Sequence, residues 1–373
     1  MNFDLTTEQK LLQKAAKDFA NKEIEPLAPL MERGQALPSN FPKKLGEARF
    51  LGMLCPRKYG GSDIGYFNFI LVLEQLSYPV SACAWIPGIH NSVAEAIYRF
   101  GTEAAKEKYL PGACAGEYVA SIVFTEPGTG SDPKSLTTTA SFEGNTWLVN
   151  GTKRFHSLGN MIGPAMIVVR EGDFINCLLV DKDSPGYSSS KSWDFMGYAG
   201  LPCVDTYLNN VRVPAENLMG ERGKGFDILV KMISGAKIAS CARSLGLSQA
   251  AQDEAVKYAK GRTRRGSAIF TMMSIQAMVA EIASRVEAAR WITYRVAFLR
   301  EKGFDTILDT ARAKLFVTRV AKEVADMSLQ VHGAYGFTRD FKIERIYRAA
   351  REGEIVEGSS EIQRTIISTY VLS

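Results

Sequence analysis

Long apolar runs are missing from this sequence. Nowhere do roughly 18 consecutive apolar residues occur, the minimum for a bilayer-spanning helix, and stretches such as Ala165 to Val169 are far shorter. A membrane-spanning reading is rejected. Histidine is scarce: His90, His156 and His332 are the three in 373 residues, they stand far apart, and each reads as a packed or hydrogen-bonded imidazole. There is no P-loop, no HExxH and no His/Cys cluster, and Gly128-Thr129-Gly130 lacks the third glycine of a dinucleotide fingerprint. Phosphate-loop and metal chemistry are disfavoured, and no metal site is expected. The six cysteines, at 55, 83, 114, 177, 203 and 241, sit singly without CxxC pairing, as buried thiols of a reducing compartment would. The opening Met1-Asn2-Phe3-Asp4-Leu5 carries no basic, apolar or Arg/Ser-rich leader, so a cytoplasmic protein is expected. An excess of one charge is also lacking, because 45 basic and 40 acidic residues are interspersed. Nucleic-acid binding gains little support. The densest basic run, Arg262-Thr263-Arg264-Arg265, reads as a solvated helix end or as an anion contact.

What is present divides into three textures. A chain of this length exceeds one ordinary core. From Thr7 to about Gly116 the pattern is helical, with Leu11, Leu12, Ala15, Ala16 and Phe19 at amphipathic spacing. Between about Glu117 and Val213, β-branched and aromatic clusters are bounded by Gly, Asn and Asp. Trp147-Leu148-Val149 runs into Asn150-Gly151, a tight-turn signal, and residues 166–180 with the turn Glu171-Gly172-Asp173 predict a β-hairpin. After Gly223-Lys224-Gly225 the helical pattern returns, with a long stripe through Ile275, Ile282, Val286 and Ala289. The expected architecture is α+β and mostly α: an N-terminal helical domain over 1–118, a central barrel-like or sandwich β domain over 119–227, and a C-terminal four-helix bundle over 228–373.

Three segments carry chemistry. Phe124 to Asp132, with Thr125-Glu126-Pro127 and Gly130-Ser131-Asp132, is a Gly/Pro turn whose hydroxyls and N–H groups could grip an anion or a polar ring edge, or simply cap the turn. In Ile355 to Arg364 a carboxylate, Glu357, stands among apolar residues just before a helix start, and Ser360 with Gln363 has capping-box spacing. A tuned general base and a salt-bridged surface glutamate both remain open. Gln330-Val331-His332-Gly333 ends a helix in a way that suits a C-cap or a close approach of backbone to ligand.

Taken in order with Pro56 to Gly61, Asn150-Gly151-Thr152-Lys153, Val213-Pro214, Tyr258-xxx-Arg262-xxx-Gly266, Gln276 and Arg348, these segments resemble the acyl-CoA dehydrogenase family over essentially the whole chain. The most specific stretch is Glu357 to Arg364. The resemblance implies an FAD-dependent enzyme in which Glu357 abstracts the α proton of an acyl-CoA and flavin N5 takes the β hydride. It also implies that the Glu357 N–H and a ribityl hydroxyl hold the thioester oxygen. By the same likeness Thr125 hydrogen-bonds the flavin pyrimidine edge, Ser131 contacts FAD phosphate or the thioester ligand, and Phe155 and Ser157 lie beside the isoalloxazine; Arg262, Gln276, Gln330 and Gly333 reach the FAD of a neighbouring subunit; and Ser359 and Glu361 lie near its AMP half. Ser131, Trp85, Asn91, Lys237 and Gly358 are the expected substrate contacts.

A shared flavin site implies a homotetramer or at least a homodimer, and an electron-transfer flavoprotein is the implied acceptor. Departures from the family pattern are Phe155 for a common tryptophan, Arg265 for phenylalanine, Lys237 for arginine and Ala349 for aspartate. Some relatives carry their base at the position of Ala236, which leaves Glu357 as the sole candidate. Ala84 matches the arginine that grips the distal carboxylate in glutaryl-CoA dehydrogenases, so a neutral short, branched or cyclic acyl group is expected. Competing readings are a dehydrogenase of carrier-protein thioesters, an oxidase, and a non-catalytic or DNA-associated relative.

Overall fold

The computed structural model describes residues 4–161 and 163–373, the Pro133 side chain excepted. Met1, Asn2 and Phe3, part of the stretch in which no leader was expected, lie outside that set. The first helix, α1 (Thr7–Phe19), is opened by a reciprocal cap: the Thr6 hydroxyl accepts from the Gln9 N–H, and the Gln9 side chain accepts from the Thr6 N–H. Leu12, Ala16 and Phe19 form its packed face, with the Phe19 ring edge-on to Phe50, whereas Leu11 and Ala15 turn outward. The five-residue stripe read from the sequence therefore narrows to three, because residues one apart diverge by about 100° around a helix.

The short helices α2 (Ala28–Met31) and α3 (Phe41–Glu47) lead to α4 (Tyr66–Ser77), α5 (Ser81–Phe100) and α6 (Glu103–Ala115). Helices α4 and α5 are buried along most of their length.

The middle of the chain is one seven-stranded curled sheet: β1 (Ser121–Val123), β2 (Thr139–Glu143), β3 (Thr146–Ser157), β4 (Pro164–Glu171), β5 (Phe174–Asp181), β6 (Tyr187–Ser189) and β7 (Cys203–Pro214), in the order β1-β4-β2-β3-β7-β6 with β5 on β4. The hairpin around Glu171-Gly172-Asp173 forms as expected, with Glu171 paired to Phe174. Asn150-Gly151, in contrast, is no turn. Strand β3 runs straight through it with a register shift, and the turn falls at Gly144-Asn145 instead. Gly151 is needed there because a Cβ would stand 2.5 Å from Thr138 Oγ1.

Helix α7 (Gly225–Gly261) then crosses the whole molecule and leads through the small hairpin β8 (Thr263–Arg264) and β9 (Ser267–Ala268) into α8 (Met273–Glu301), α9 (Ile307–His332), α10 (Lys342–Ala350) and α11 (Ser360–Leu372). Helices α7, α8, α9 and α11 make the bundle, and α4 and α5 lie on α7. Gly246 allows α4 that close: a Cβ would sit 2.2 Å from the Glu74 carbonyl oxygen. One apolar core serves the helices and a second fills the sheet. All six cysteines are free and buried. Among the described residues no helix is long and apolar enough to cross a membrane, and no group of His, Cys, Asp and Glu could hold a metal.

Candidate active site

Glu357 lies between α10 and α11, in a loop held from beneath. The buried Lys314 of α9 donates from Nζ to the carbonyls of Gly353 and Gly358, each at 2.9 Å, and so ties together the two ends of the loop. Glu357 itself has φ 54° and Gly358 φ 87°, two successive left-handed residues of which only the glycine takes that conformation without cost. The expected capping box does not form. The N-cap of α11 is Ser359, one residue early, and Gln363 Nε2 donates instead to the Gly358 carbonyl at 2.8 Å. The result is a carboxylate turned inward and about 10% exposed, whose Oε2 is buried without a hydrogen-bond partner. Its own N–H is also not claimed by backbone or side chain among the described residues.

Around this carboxylate sits a cluster of charge. Arg243 of α7 is buried and lies 3.7 Å from Glu357 Oε1 through Nη1, and 3.7 Å from Glu352 Oε1 through Nη2. Its guanidinium is stacked over Trp85 of α5, 3.9 Å from the ring centroid. Tyr198, itself at φ 61°, donates to Glu352 at 2.9 Å and meets the Trp85 ring edge-on. Burial, reinforced by the Glu357 charge and opposed by Arg243, pushes Glu352 up to about 7. Lys237, one and a half turns before Arg243, comes down to about 8 through burial and the nearby Lys314 charge.

The turn at Thr125 is fixed differently. Glu126 and Lys153 form a buried ion pair at 2.8 Å, and Glu126 also accepts from the Thr137 N–H, the Thr137 hydroxyl and the Thr138 N–H. Despite burial, these bonds hold Glu126 down at about 2. The Thr125 carbonyl accepts from Arg154 N at 2.8 Å, and next to it Phe155, at φ 55°, projects an exposed ring beside Trp193 and Phe195. A partly exposed hydroxyl beside a strained, solvent-facing aromatic wall makes a seat for a flat heteroaromatic ring.

Family models for the three acyl-CoA dehydrogenase domains match the chain: the N-terminal domain over residues 6–117, the middle domain over 121–211 and the C-terminal domain over 223–372. The chain belongs to the acyl-CoA dehydrogenase family. It is 35% identical to an acryloyl-CoA reductase (NADH) of Anaerotignum propionicum, over 100% of this chain and 96% of the relative. Among solved structures, butyryl-CoA dehydrogenase of Megasphaera elsdenii superposes with a TM-score of 0.96 at 30% identity, covering 100% of both chains. A chain solved in work on the electron transferring flavoprotein of Acidaminococcus fermentans and flavin-based electron bifurcation superposes with a TM-score of 0.97 at 32% identity, again over 100% of both. This acyl-CoA dehydrogenase is therefore an FAD-dependent oxidoreductase.

The residues singled out from the sequence fall into separate groups. Glu357, Gly358, Lys237 and, through Arg243, Trp85 share one neighbourhood. Thr125, Ser131, Phe155 and Ser157 belong to the sheet side, where the Ser157 hydroxyl faces Cys203 Sγ at 3.9 Å. Arg262 lies over the Tyr335 ring at 5.4 Å, which brings it to the Gly333 turn; Gln276 and Gln330 are exposed on the outside of the bundle. Ser359 stands at the N-cap position of α11 without a side-chain capping bond, and Glu361 pairs with Arg364 at its exposed first turn. Asn91 is committed to the fold. Its amide accepts from Met53 N and donates to the carbonyls of Phe50 and Pro87.

Arg243, Glu352, Tyr198 and Lys314 were not singled out from the sequence. Arg243 did carry a signal, as a lone cation in the small and apolar run Ile238 to Leu247.

Proposed function

We propose that this acyl-CoA dehydrogenase removes two hydrogens across the α,β bond of a short acyl-CoA, with Glu357 taking the α proton. The observation that carries the reading is the inward carboxylate of Glu357, with one oxygen and its own N–H both unspent. An α C–H beside a thioester is a weak acid, so a base must be held against it and a donor must meet the developing enolate oxygen. Glu357 offers both groups from one residue, and the Lys314 clamp keeps them in place. FAD, when bound, supplies the acceptor for the β hydrogen. In the opposite direction, which the Anaerotignum relative's name describes, Glu357 would return the proton to the α carbon.

A short, branched or cyclic acyl group fits a site in which Trp85 and Arg243 stand close to the base, and the likeness to a butyryl-CoA dehydrogenase supports a short chain. An electron-transfer flavoprotein as partner is supported by the likeness to the Acidaminococcus chain. The exposed Met273, Phe337 and Leu372, together with exposed Arg262, Gln276 and Gln330, favour a homotetramer in which neighbours share flavin sites. The six free thiols suit the cytoplasm.

Anaerobic titration of the flavin-loaded protein with acyl-CoAs of increasing length tests the reading. Bleaching of the flavin band by short acyl-CoAs is expected, and Glu357→Gln should bind flavin yet bleach about 10²–10⁴ times more slowly. Bleaching by no acyl-CoA, or an unchanged rate in Glu357→Gln, would sink it. A carrier-protein thioester reacting in preference to CoA, or peroxide formed in air at the turnover rate, would move it to the corresponding relative.

A further inference from the structure

The acyl side of the site holds more buried donors than the protein has acceptors to match. Arg243 is 1% exposed, yet Nε, Nη1 and Nη2 all lack a hydrogen-bond partner. Its two carboxylate neighbours, at 3.7 Å, balance its charge without reaching hydrogen-bond distance. Trp85 Nε1, on the ring beneath it, is likewise buried and unpartnered. Buried donors in folded proteins are matched by protein, water or ligand, and three on one guanidinium call for an acceptor.

The fold makes room for this guanidinium deliberately. Gly88, one turn beyond Trp85 on α5, stands where a Cβ would come 3.3 Å from Nη1, so any side chain there would press on the arginine. A hydrocarbon tail offers no acceptor to these donors.

We infer that the acyl group carries an oxygen acceptor at its far end, a carboxylate or a neutral carbonyl, received by Arg243 on the floor formed with Trp85. This rests on the dehydrogenase reading and narrows its substrate class. It also replaces the expectation of a neutral, purely hydrocarbon tail drawn from Ala84: the absent arginine of α5 has a counterpart on the facing helix α7. Arg243 lies 3.7 Å from the carboxylate that would face the α carbon, so the acceptor oxygen stands only a few bonds beyond the β carbon.

The test uses the flavin-loaded enzyme and three thioesters of matched length: butanoyl-CoA, succinyl-CoA and the methyl ester of succinyl-CoA. At least one oxygenated thioester should bleach the flavin with kcat/KM about 10- to 100-fold above butanoyl-CoA, the discrimination expected of a charged donor left unmatched. A preference for succinyl-CoA identifies a carboxylate, and a preference for its ester a neutral carbonyl. In Arg243→Met the ratio should collapse toward one, and Arg243→Lys should keep part of it.

Calorimetric binding of the unsaturated four-carbon thioesters ending in methyl or in carboxylate gives a readout without turnover. It can be made on the wild-type enzyme alone should the arginine variants fail to fold. Butanoyl-CoA preferred in both bleaching and binding, or a ratio that Arg243→Met does not move, overturns the inference and leaves the dehydrogenase reading standing. Bleaching by no thioester overturns both.

Discussion

The molecule buries charge in two places and treats it in opposite ways. In the sheet, Glu126 and Lys153 meet at 2.8 Å, and every lone pair that Glu126 offers is taken up by Lys153, Thr137 or Thr138. Between α5, α7 and the loop before α11, Arg243 is as deeply placed and Glu352 and Glu357 are partly buried beside it, but Arg243 keeps three nitrogens unmatched and Glu357 keeps one oxygen. The first arrangement holds a turn; the second is ready to receive something. Desolvating a charge costs several kcal/mol whatever its purpose, so satisfaction of the hydrogen bonds distinguishes scaffold from site.

That contrast can be broken most forcefully at its two carboxylates. Glu357→Gln should cost about 10²–10⁴ in the rate of flavin reduction and little in melting temperature, as stopped-flow and thermal unfolding would show. Glu126→Gln should behave in reverse. Leaving Lys153 buried without its partner should cost about 3–5 kcal/mol in unfolding free energy, visible as a lower denaturant midpoint and weaker flavin retention. Similar stability losses in the two variants would erase the distinction.

Lys314→Met tests the clamp: freeing the Gly353 and Gly358 carbonyls should lower kcat by about tenfold to a hundredfold, with a smaller effect on stability than Glu126→Gln. The smallest effect is expected from pH. Glu352 is raised to about 7 in the fold from an ordinary carboxylate value. Its contribution is therefore fully present below about pH 4.5 and lost as pH rises through 7. Glu352→Gln should flatten that fall, narrowing the difference in melting temperature between pH 5 and pH 8 relative to the wild type.

Much of the architecture was legible because local spacing encodes it. The shift from helical to β-branched texture and back marks the three parts, and Glu171-Gly172-Asp173 gave its hairpin, since a turn is decided by the residues that make it. Asn150-Gly151 misled for a tertiary reason: the glycine serves the approach of Thr138, not a reversal of the chain. Ser360 and Gln363 have the spacing of a capping box, but after the left-handed Glu357-Gly358 pair the N-cap falls at Ser359 and Gln363 turns to a carbonyl. Glu357 could be picked out by its motif. The cation beside it could not, because Arg243 lies 114 positions earlier on a different helix, and only the packing of α7 against α5 brings it there.

The sequence by itself determined the family and the succession of helical, β and helical regions, and it pointed to Glu357 as the proposed base, all properties carried by neighbouring residues in a recognisable order. Only the tertiary structure decided what that base faces. The environment of a buried charge is set by groups converging from distant segments, and no local pattern records which donors are left without an acceptor when the helices close.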